Sequence, residues 1–337
     1  VKEVISNLKL RASYGFTGNT EIGVYESLAT LGTSNWILGN QLVSGFFPNK
    51  IPNPDLKWER TGQFDIGLDL GLFNNRLRIT TDYYKKKTTD LLYSVAVPAT
   101  SGYQTMLKNI GSIENQGYEL SIESDNLTGA FSWTTAFNIA FNRNKVLELG
   151  GEEYKEMAEG DGHLKTGSVR RLIVGEPIGV FYGYRFDGIF QNEEECKQQT
   201  SSASPIGVGL RRYKDLNGDG KVDAANDREI LGDANPKFFG GLTNTFAYKG
   251  FELNVFLQYS YGNKILNYNA MELENPTGGQ NAYADMVNRW TPENPSNIYP
   301  KATTNRALLV SDRFIEDGSY LKLKTLSLSY SFPKINT

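Results

Sequence analysis

The stretch Phe131-Ser-Trp-Thr-Thr-Ala-Phe-Asn-Ile-Ala-Phe-Asn142 decides the fold of this chain. Large apolar residues alternate along it with small or polar residues, so an extended backbone has one aromatic face and one polar face. A period of two residues is typical of a β-strand whose two faces meet different surroundings. The stretch therefore predicts a strand that separates an apolar environment from a polar one.

The same alternation recurs along the chain. With 131–142 it predicts about ten strands, the others being 8–16, 64–72, 77–83, 118–122, 169–174, 180–186, 242–248, 251–261 and 326–332. Four of the segments extend over 9 to 12 residues, which is longer than the usual globular strand and long enough for a tilted strand to cross a bilayer. Near the end of the chain the apolar positions shift from odd (Leu321, Leu323) to even (Leu326, Leu328), which indicates a β-bulge.

The connections between these strands are of two kinds that alternate. Tight turns are predicted at 73–75, 126–129, 175–178 and 249–250, and long loops at 17–61, 88–114, 143–167, 191–236 and 263–312. Such alternation places all long loops on one side of a meander, as in outer-membrane barrels with external loops and periplasmic turns. We therefore predict an all-β fold: an antiparallel transmembrane β-barrel wall with long extracellular loops and short periplasmic turns.

A soluble β-sandwich or propeller is the alternative fold, because it also shows alternating strands. The polar face of the predicted strands disfavours it, since that face is charged instead of forming a second apolar core. The side chains concerned are Gln63, Asp65, Asp69, Arg76, Arg78, Asp82, Glu119 and Glu123.

Composition excludes several classes of function. The 35 Lys and Arg residues against 38 Asp and Glu residues give a net charge of −3, which disfavours nucleic acid as a partner. A single Cys (Cys196) and a single His (His163) exclude a disulfide framework, a CxxC metal site and a multi-His ligand set. Because the sequence also lacks the GxSxG, Walker A and HExxH motifs, we predict that the chain is not an enzyme.

One segment has the spacing of a calcium-binding loop. Oxygen-bearing side chains recur at alternate positions around a central glycine, Gly220, as hard oxygen ligands must on a tightly turned loop. A structural Ca²⁺ site is the hypothesis, and a loop held by its own Asx turns without metal is the alternative. The predicted ligands are Asp215, Asn217, Asp219, Lys221 through its carbonyl, Asp223 and Asp227.

Aromatic residues cluster near the ends of the predicted strands, as at Tyr83 and Tyr84 and at Tyr330 and Phe332. Aromatic girdles at the two membrane interfaces would account for this placement. The run Lys85-Lys86-Lys87 follows directly on one such end. It would meet headgroup phosphates if its strand ascends, although a solvated entry to the loop is the preferred interpretation.

Several segments resemble one known family when they are taken together and in order. The chain is similar to the C-terminal half of SusC/RagA-type TonB-linked outer-membrane transporters. The resembling segments are 8–19 (LKLRASYGFTGN), 53–60 (NPDLKWER), 115–120 (NQGYEL), 175–184 (GEPIGVFYGY) with 188–190 (GIF), 215–223 (DLNGDGKVD) with Asp227 and Arg228, 235–241 (NPKFFGG) and 318–325 (GSYLKLKT).

The resemblance implies that residues 1–337 are part of a larger plugged barrel, of the 22-stranded class. It implies a transporter that is energised through TonB, lies in the outer membrane of a Gram-negative bacterium of the Bacteroidetes type and is paired with a SusD-like surface lipoprotein. The imported nutrients would be glycan oligosaccharides or, in some cases, peptides. A signal peptide, a plug domain and the first and last barrel strands are expected to lie outside this sequence.

Aromatic faces suit sugar rings, so three aromatic residues in long loops are candidates for substrate stacking: Trp36, Tyr283 and Trp290. Loop packing is the preferred interpretation of each. Two other functions stay open at this point. They are a passive porin or adhesin barrel, and a soluble calcium-containing glycan-binding β-protein.

Overall fold

The computed structural model describes residues 4–19, 23–103, 105–157, 168–275, 281–304 and 308–332. Antiparallel strands are the main regular structure of the described residues, with only short helical segments beside them, which confirms the predicted all-β class. No helix among them is long and apolar enough to cross a membrane.

The strands up to Glu148 are β1 (Ile5–Asn19), β2 (Leu31–Leu38), β3 (Gln41–Pro48), β4 (Glu59–Leu72), β5 (Leu77–Thr89), β6 (Leu92–Ala96), β7 (Thr105–Asn109), β8 (Ser112–Thr128) and β9 (Phe131–Glu148). The strands after it are β10 (Tyr154–Met157), β11 (Arg170–Ile173), β12 (Val180–Tyr184), β13 (Phe186–Ile189), β14 (Thr200–Ser201), β15 (Arg211–Tyr213), β16 (Lys221–Val222), β17 (Arg228–Asp233), β18 (Phe238–Tyr248), β19 (Phe251–Tyr261), β20 (Lys264–Leu266), β21 (Ile315–Asp317) and β22 (Tyr320–Tyr330). The helical segments are α1 (Glu193–Gln198), α2 (Tyr268–Leu273) and three 3₁₀ turns (Ala99–Ser101, Ala284–Asn288 and Asp312–Phe314).

The chain divides into two compact units. The first comprises Val1–Thr128, Thr134–Glu153 and Val174–Glu176, and the second comprises Gly129–Trp133, Tyr154–Ile173 and Pro177–Thr337. We call the long strands β1, β4, β5, β8, β9, β18, β19 and β22 the wall strands. We call the described parts of 154–173, 177–237 and 262–317, all in the second unit, the loop module.

In the first unit the wall strands lie in the order β1-β4-β5-β8-β9, which is also their order along the chain. Their register places the apolar positions of neighbouring strands side by side, as in the row Leu10, Leu68, Thr81 and Leu120. Because side chains alternate between the two faces of a strand, the intervening residues form a polar face. We call these the apolar face and the polar face of the first unit.

In the second unit the order is β18-β19-β22, and the first residues of β9 lie beside β18, with the rings of Trp133 and Phe246 stacked 5.7 Å apart. The register between β19 and β22 shifts where Phe256 faces Thr325 and Leu257 faces Leu323. This irregularity confirms the bulge predicted from the shift in apolar positions.

Tight turns join the wall strands at three places. Lys249 and Gly250, both with positive φ (48° and 85°), form the two-residue turn between β18 and β19, as the twist of a hairpin requires. Asn74 and Asn75 adopt left-handed conformations (φ of 57° and 60°) between β4 and β5, where Asn is well tolerated. The turn between β8 and β9 lies at 129–130. Three of the four predicted tight turns are therefore confirmed.

The fourth predicted turn, at 175–178, does not join wall strands. Its Gly175 N–H donates to the carbonyl of Val146 near the end of β9, far along that strand from the turn at 129–130. The segments predicted as wall strands at 169–174 and 180–186 contain β11 and β12, which belong to a four-stranded sheet of the order β10-β11-β12-β17. The described residues therefore contain eight wall strands instead of about ten, and a single long connection of 149–237 replaces two predicted loops.

The loop module of the second unit has its own apolar core. Met271, Phe314 and Val310 are almost fully buried there, and a second cluster surrounds Tyr184 and Tyr213. The members of the first cluster are Val169, Phe181, Leu231, Ala270, Met271, Val310 and Phe314. Residues of distant loops thus pack into a folded body.

Candidate functional site on the polar face of the sheet

The polar face of the first unit contains a depression of about 520 Å³. Two cations and three carboxylates surround it, so its lining is strongly charged but nearly balanced. The lining residues are Arg11, Ser13, Gln63, Asp65, Asp82, Tyr84, Lys86 and Glu119. We treat this polar-face depression as the candidate functional site.

Arg11 joins three strands at this depression. Its Nε and Nη2 atoms donate to the two carboxylate oxygens of Asp69 at 3.0 and 2.9 Å, and Nη2 also lies 2.9 Å from a carboxylate oxygen of Asp82. Gly67 makes this contact possible, because a Cβ atom there would lie only 2.2 Å from Asp82 Oδ1 and 2.8 Å from Arg11 Cζ. One guanidinium therefore faces two carboxylates, which leaves this cluster with a net negative charge.

Asp65 is also engaged on the polar face. Its two carboxylate oxygens accept hydrogen bonds from Ser13 Oγ at 3.1 Å and from Gln63 Nε2 at 2.8 Å. These bonds fix the carboxylate in one orientation. The result is a surface of oriented donors and acceptors across β1 and β4.

Tyr84 lies flat against the neighbouring strand β8. The strand has Gly117 at this position, where a Cβ atom would lie 2.4 Å from the tyrosine ring. The Tyr84 hydroxyl donates to Asn142 Oδ1 at 3.2 Å. An aromatic ring is thus held at the edge of the charged depression.

This arrangement suits passage or binding of a polar solute. Arg11, Asp65 and Asp82 are paired with neighbouring side chains, and the lining is rich in hydrogen-bonding groups. The chemistry that the depression offers is therefore hydrogen bonding and charge.

Sequence reasoning identified the polar face but not the Arg11 cluster. Arg11 is separated from Asp69 by 58 residues and from Asp82 by 71 residues, so the pairing depends on strand register. Glycines at strand positions on a polar face, such as Gly67 and Gly117, are the signal that could have indicated close side-chain packing.

The three candidate stacking residues differ in exposure. Trp36 is 56% exposed and its ring lies over Gly45 of β3, where a Cβ atom would come within 2.7 Å of it. Tyr283 is 38% exposed and precedes a 3₁₀ turn. Both retain solvent-facing ring surface, so stacking on a substrate stays a prediction for them.

Trp290 does not fit the stacking hypothesis. It is only 9% exposed, its Nε1 donates to Gln191 Oε1 at 2.9 Å, and Gly209 lies directly against its ring. The ring packs inside the loop module, in agreement with the preferred interpretation of loop packing.

The predicted calcium ligands lie in an exposed loop of the second unit. Both carboxylate oxygens of Asp215 accept backbone N–H groups at 2.7 Å, one from Gly218 and one from Gly220. Asn217 and Asp219 accept backbone hydrogen bonds two residues further on, from Asp219 and Lys221. These are the Asx turns of the alternative interpretation.

Asp227 closes the same loop. It is fully buried, and its two oxygens accept the backbone N–H groups of Leu216 and Asp223, each at 2.7 Å. In the part of the chain that the structure describes, no group of three or more His, Cys, Asp or Glu side chains is placed to hold a metal. As arranged, the carboxylates bond the loop's own amides, so the residues do not form a ready metal site, and calcium binding stays a prediction.

Hydrogen bonding also changes the acidity of Asp223. The side chain of Lys221, followed by the backbone amides of Asn226 and Ala225, holds the pKa of this carboxyl below its usual value. Asp223 is therefore charged at neutral pH and stays part of the loop's network.

The single cysteine of the chain lies in surroundings that disfavour reactivity. Cys196 lies in α1, and burial, followed by the negative charges of Glu193 and Glu195, raises the pKa of its thiol. A raised pKa disfavours the reactive thiolate, as the sequence indicates. His163 lies outside the described residues.

Comparison with known proteins gives consistent results. A model of the TonB dependent receptor-like β-barrel family matches residues 3–187. TonB-dependent receptor P3 of Formosa agariphila is 40% identical over 331 residues, which cover 98% of this chain and 33% of that protein. TonB-dependent receptor SusC of Bacteroides thetaiotaomicron is 29% identical, over 98% of this chain and 32% of its own length.

A solved structure of the RagAB peptide transporter is also similar. It superposes with a TM-score of 0.78 at 28% identity, covering 98% of this chain and 35% of the matched chain. The chain thus spans about one third of the length of these relatives.

Proposed function

This chain belongs to the TonB-dependent receptor-like β-barrel family of outer-membrane proteins, and on that premise we propose that it forms part of the wall and outer rim of a nutrient importer. The importer takes up oligomeric nutrients across the outer membrane with energy delivered through TonB. Its work is binding and transport, without covalent chemistry.

The two-faced sheet of the first unit is the observation that carries the proposal. One face is an apolar surface suited to lipid, and the other presents the Arg11–Asp69–Asp82 cluster and the hydrogen-bonded Asp65. A strand wall with this alternation can separate lipid from a water-filled passage. Soluble β-proteins rarely expose an apolar face of this size.

We further propose a SusD-like surface lipoprotein as the partner. Within the second unit, the long connections fold into the loop module with a buried core around Met271 and Phe314. A preformed body of this kind is suited to docking a lid, because little conformational freedom is lost on binding. The similarity to the RagAB peptide transporter supports a two-component system.

Glycan oligosaccharides are the proposed substrates, with peptides as the second candidate. The exposed rings of Trp36 and Tyr283 suit sugar stacking. The paired charges of the polar-face depression and the likeness to the RagAB peptide transporter favour peptides. The two classes differ in charge, so a transport assay separates them.

The test uses the full-length protein that contains this chain, expressed with its partner lipoprotein in a strain lacking both. Uptake of a fluorescently labelled oligosaccharide mixture and of a labelled peptide mixture is measured with and without a protonophore. We expect saturable uptake of one class that falls to the background level when the proton gradient is collapsed. Uptake that is insensitive to the protonophore would instead establish a passive porin.

A paired substitution tests the role of the polar face. Asp65→Ala removes a carboxylate from the depression, whereas Glu252→Ala removes one from β19 in the second unit, close to the turn at 249–250. Changed substrate affinity in the first variant alone is expected. Equal effects of the two variants would contradict a specific role for this depression.

A further inference from the structure

The apolar face of the first unit carries a second depression, of about 440 Å³, on the side away from the Asn74–Asn75 turn. It combines an aromatic floor with three cationic side chains and no carboxylate. The lining residues are Tyr14, Phe16, Arg60, Gly62, Phe64, Lys85, Lys87 and Thr89. We call it the basic depression.

Strand register brings these residues together. Tyr14, Phe64 and Lys85 form one row across β1, β4 and β5, and the next row is Phe16, Gly62 and Lys87. Arg60 and Thr89 lie in the row after that. Alternate positions on a strand share one face, so all three cations lie on the apolar face, Lys85 and Lys87 in the rows of the aromatic residues and Arg60 in the next row.

The change from apolar to cationic is abrupt. The two rows before Tyr14 contain Leu10, Leu68 and Ile66, without a charge. One row is about 7 Å from the next, since a strand rises about 3.4 Å per residue. The acyl chains of a lipid could therefore contact the apolar rows while its charged headgroup contacts the cations, all within about three rows of the strands.

The cations are not all neutralised by the protein. Lys85 pairs with Glu114 at 3.1 Å. No carboxylate pairs with Arg60 or Lys87 among the described residues, and both side chains are exposed. The guanidinium of Arg60 lies over the ring of Phe16, 3.9 Å from its centroid. This contact holds Arg60 at the edge of the depression.

Gly62 allows the Phe16 ring to lie against the floor of the basic depression. A Cβ atom at this position would lie 3.0 Å from the Phe16 ring and 3.7 Å from the Tyr14 hydroxyl. The packing of these aromatic side chains on β4 thus depends on a glycine.

We propose that the basic depression binds the phosphate group of an outer-leaflet lipid. Arg60 and Lys87 contact the phosphate oxygens, with Lys85 beside them, and an acyl chain follows Phe64, Ile66 and Leu68 along the apolar face. A guanidinium binds phosphate through two parallel N–H groups, and a nearby ammonium adds a point charge. This inference rests on the membrane placement of the proposed function, but it does not depend on which nutrient is imported.

The test compares two probes that share their acyl chains. Full-length protein in a neutral detergent is titrated with dioleoyl phosphatidic acid or with dioleoylglycerol, and bound lipid is counted by native mass spectrometry. We expect phosphatidic acid to bind and dioleoylglycerol to bind at least about tenfold more weakly, because only the first presents charge to the cations. Equal binding of the two lipids would overturn the proposal.

The lysine run supplies a matched control. Lys87→Gln and Arg60→Gln should each weaken phosphatidic acid binding about tenfold. Lys86→Gln should leave phosphatidic acid binding unchanged, because Lys86 lines the depression on the opposite, polar face. An equal loss in the Lys86→Gln variant would show a general charge effect and overturn the proposal, as would tight binding of inorganic phosphate alone.

Folding is checked by a charge-retaining variant. The double variant Arg60→Lys with Lys87→Arg should keep phosphatidic acid binding within about threefold. Both positive charges are retained, although the guanidinium group moves from position 60 to position 87. If this variant folds and loses phosphatidic acid binding as fully as the glutamine variants, the positive charges at positions 60 and 87 do not bind the lipid phosphate, and the proposal is overturned. Nutrient uptake measured in the Arg60→Gln and Lys87→Gln variants separates the two proposals, because uptake should persist when lipid binding is lost.

Discussion

The wall strands and the loop module bury their apolar residues in opposite ways. In the loop module Phe190, Met271 and Phe314 are almost entirely enclosed by protein. In β4, which has a neighbour on each side, Phe64 and Ile66 are still 41% and 40% exposed. Among the described wall-strand residues, Val146 is the one buried apolar side chain.

This difference shows which solvent each region is built for. The loop module makes its own interior, as water-soluble domains do. The wall strands leave an apolar face for lipid and need no core of their own. The two regions should therefore respond differently to the same kind of substitution.

The largest effect is expected in the core of the loop module. Phe314→Ala removes a ring that is 2% exposed and packs with Val169, Phe181 and Met271. It should lower the free energy of unfolding of the module by about 3–5 kcal/mol, because a cavity is left behind. Hydrogen exchange of the module in the detergent-solubilised full-length protein measures this change.

Val287→Ala is the matched control, since Val287 lies in the same module but is 76% exposed. Its effect should be within about 0.5 kcal/mol. Comparable losses in the two variants would show that the module has no cooperative core.

A pair of adjacent residues tests the wall. Leu120 lies on the apolar face in the row of Leu10 and Leu68, whereas Ser121 lies on the polar face. Leu120→Arg should destabilise folding into lipid by about 2–4 kcal/mol, because it places a charge in the bilayer. Ser121→Arg should be tolerated. Equilibrium folding of the full-length protein into phospholipid vesicles checks both, and the reverse order would mean that the faces are misassigned.

A smaller effect is expected at Asp227, which closes the loop of residues 215–227, called here the acidic loop. Asp227→Asn replaces one of the two oxygens that accept backbone N–H groups with an amide nitrogen. One buried amide then lacks an acceptor, at a cost of about 1–3 kcal/mol. Protease susceptibility of the loop, measured in a metal chelator, reports the change.

Asp219→Asn is the control for this prediction, because Asp219 is in the same loop but exposed. Its effect should be about 0.5 kcal/mol or less. Equal susceptibility of the two variants would contradict the closing role of Asp227.

Calcium is expected to have the smallest effect. If the loop of Asp215 to Asp227 binds Ca²⁺ with the modest affinity of extracellular sites, a concentration of about five times Kd would stabilise it by about 1 kcal/mol. Protease susceptibility with Ca²⁺ and with Mg²⁺ measures this. Identical results in Ca²⁺ and in chelator would establish a loop held by its Asx turns alone.

Strand patterns predicted the wall better than they predicted the connections. The apolar alternation of 8–16 and 131–142 lies within β1 and β9, and the shift near Leu323 marks a real bulge. The runs at 169–174 and 180–186 show the same alternation but form short strands of a loop sheet. Alternation records which face of a strand is apolar, and it does not record whether lipid or another loop covers that face.

The candidate sites show the same division. Spacing identified the acidic loop, but both oxygens of Asp227 are used by backbone amides, which no spacing rule reveals. Trp290 was a stacking candidate because it lies in a long loop, yet it packs against Gly209. Burial of a loop residue depends on partners that are distant in sequence.

The sequence by itself determined the all-β class, the two-faced strands and the tight turns, because these depend on a period of two residues and on local turn chemistry. Only the tertiary structure decided which side chains meet. Arg11 reaches Asp69 and Asp82, and Arg60 shares a face with Lys87, through the register of neighbouring strands. A register shift of one residue would move every side chain to the opposite face, so both depressions depend on contacts between strands that are distant in sequence.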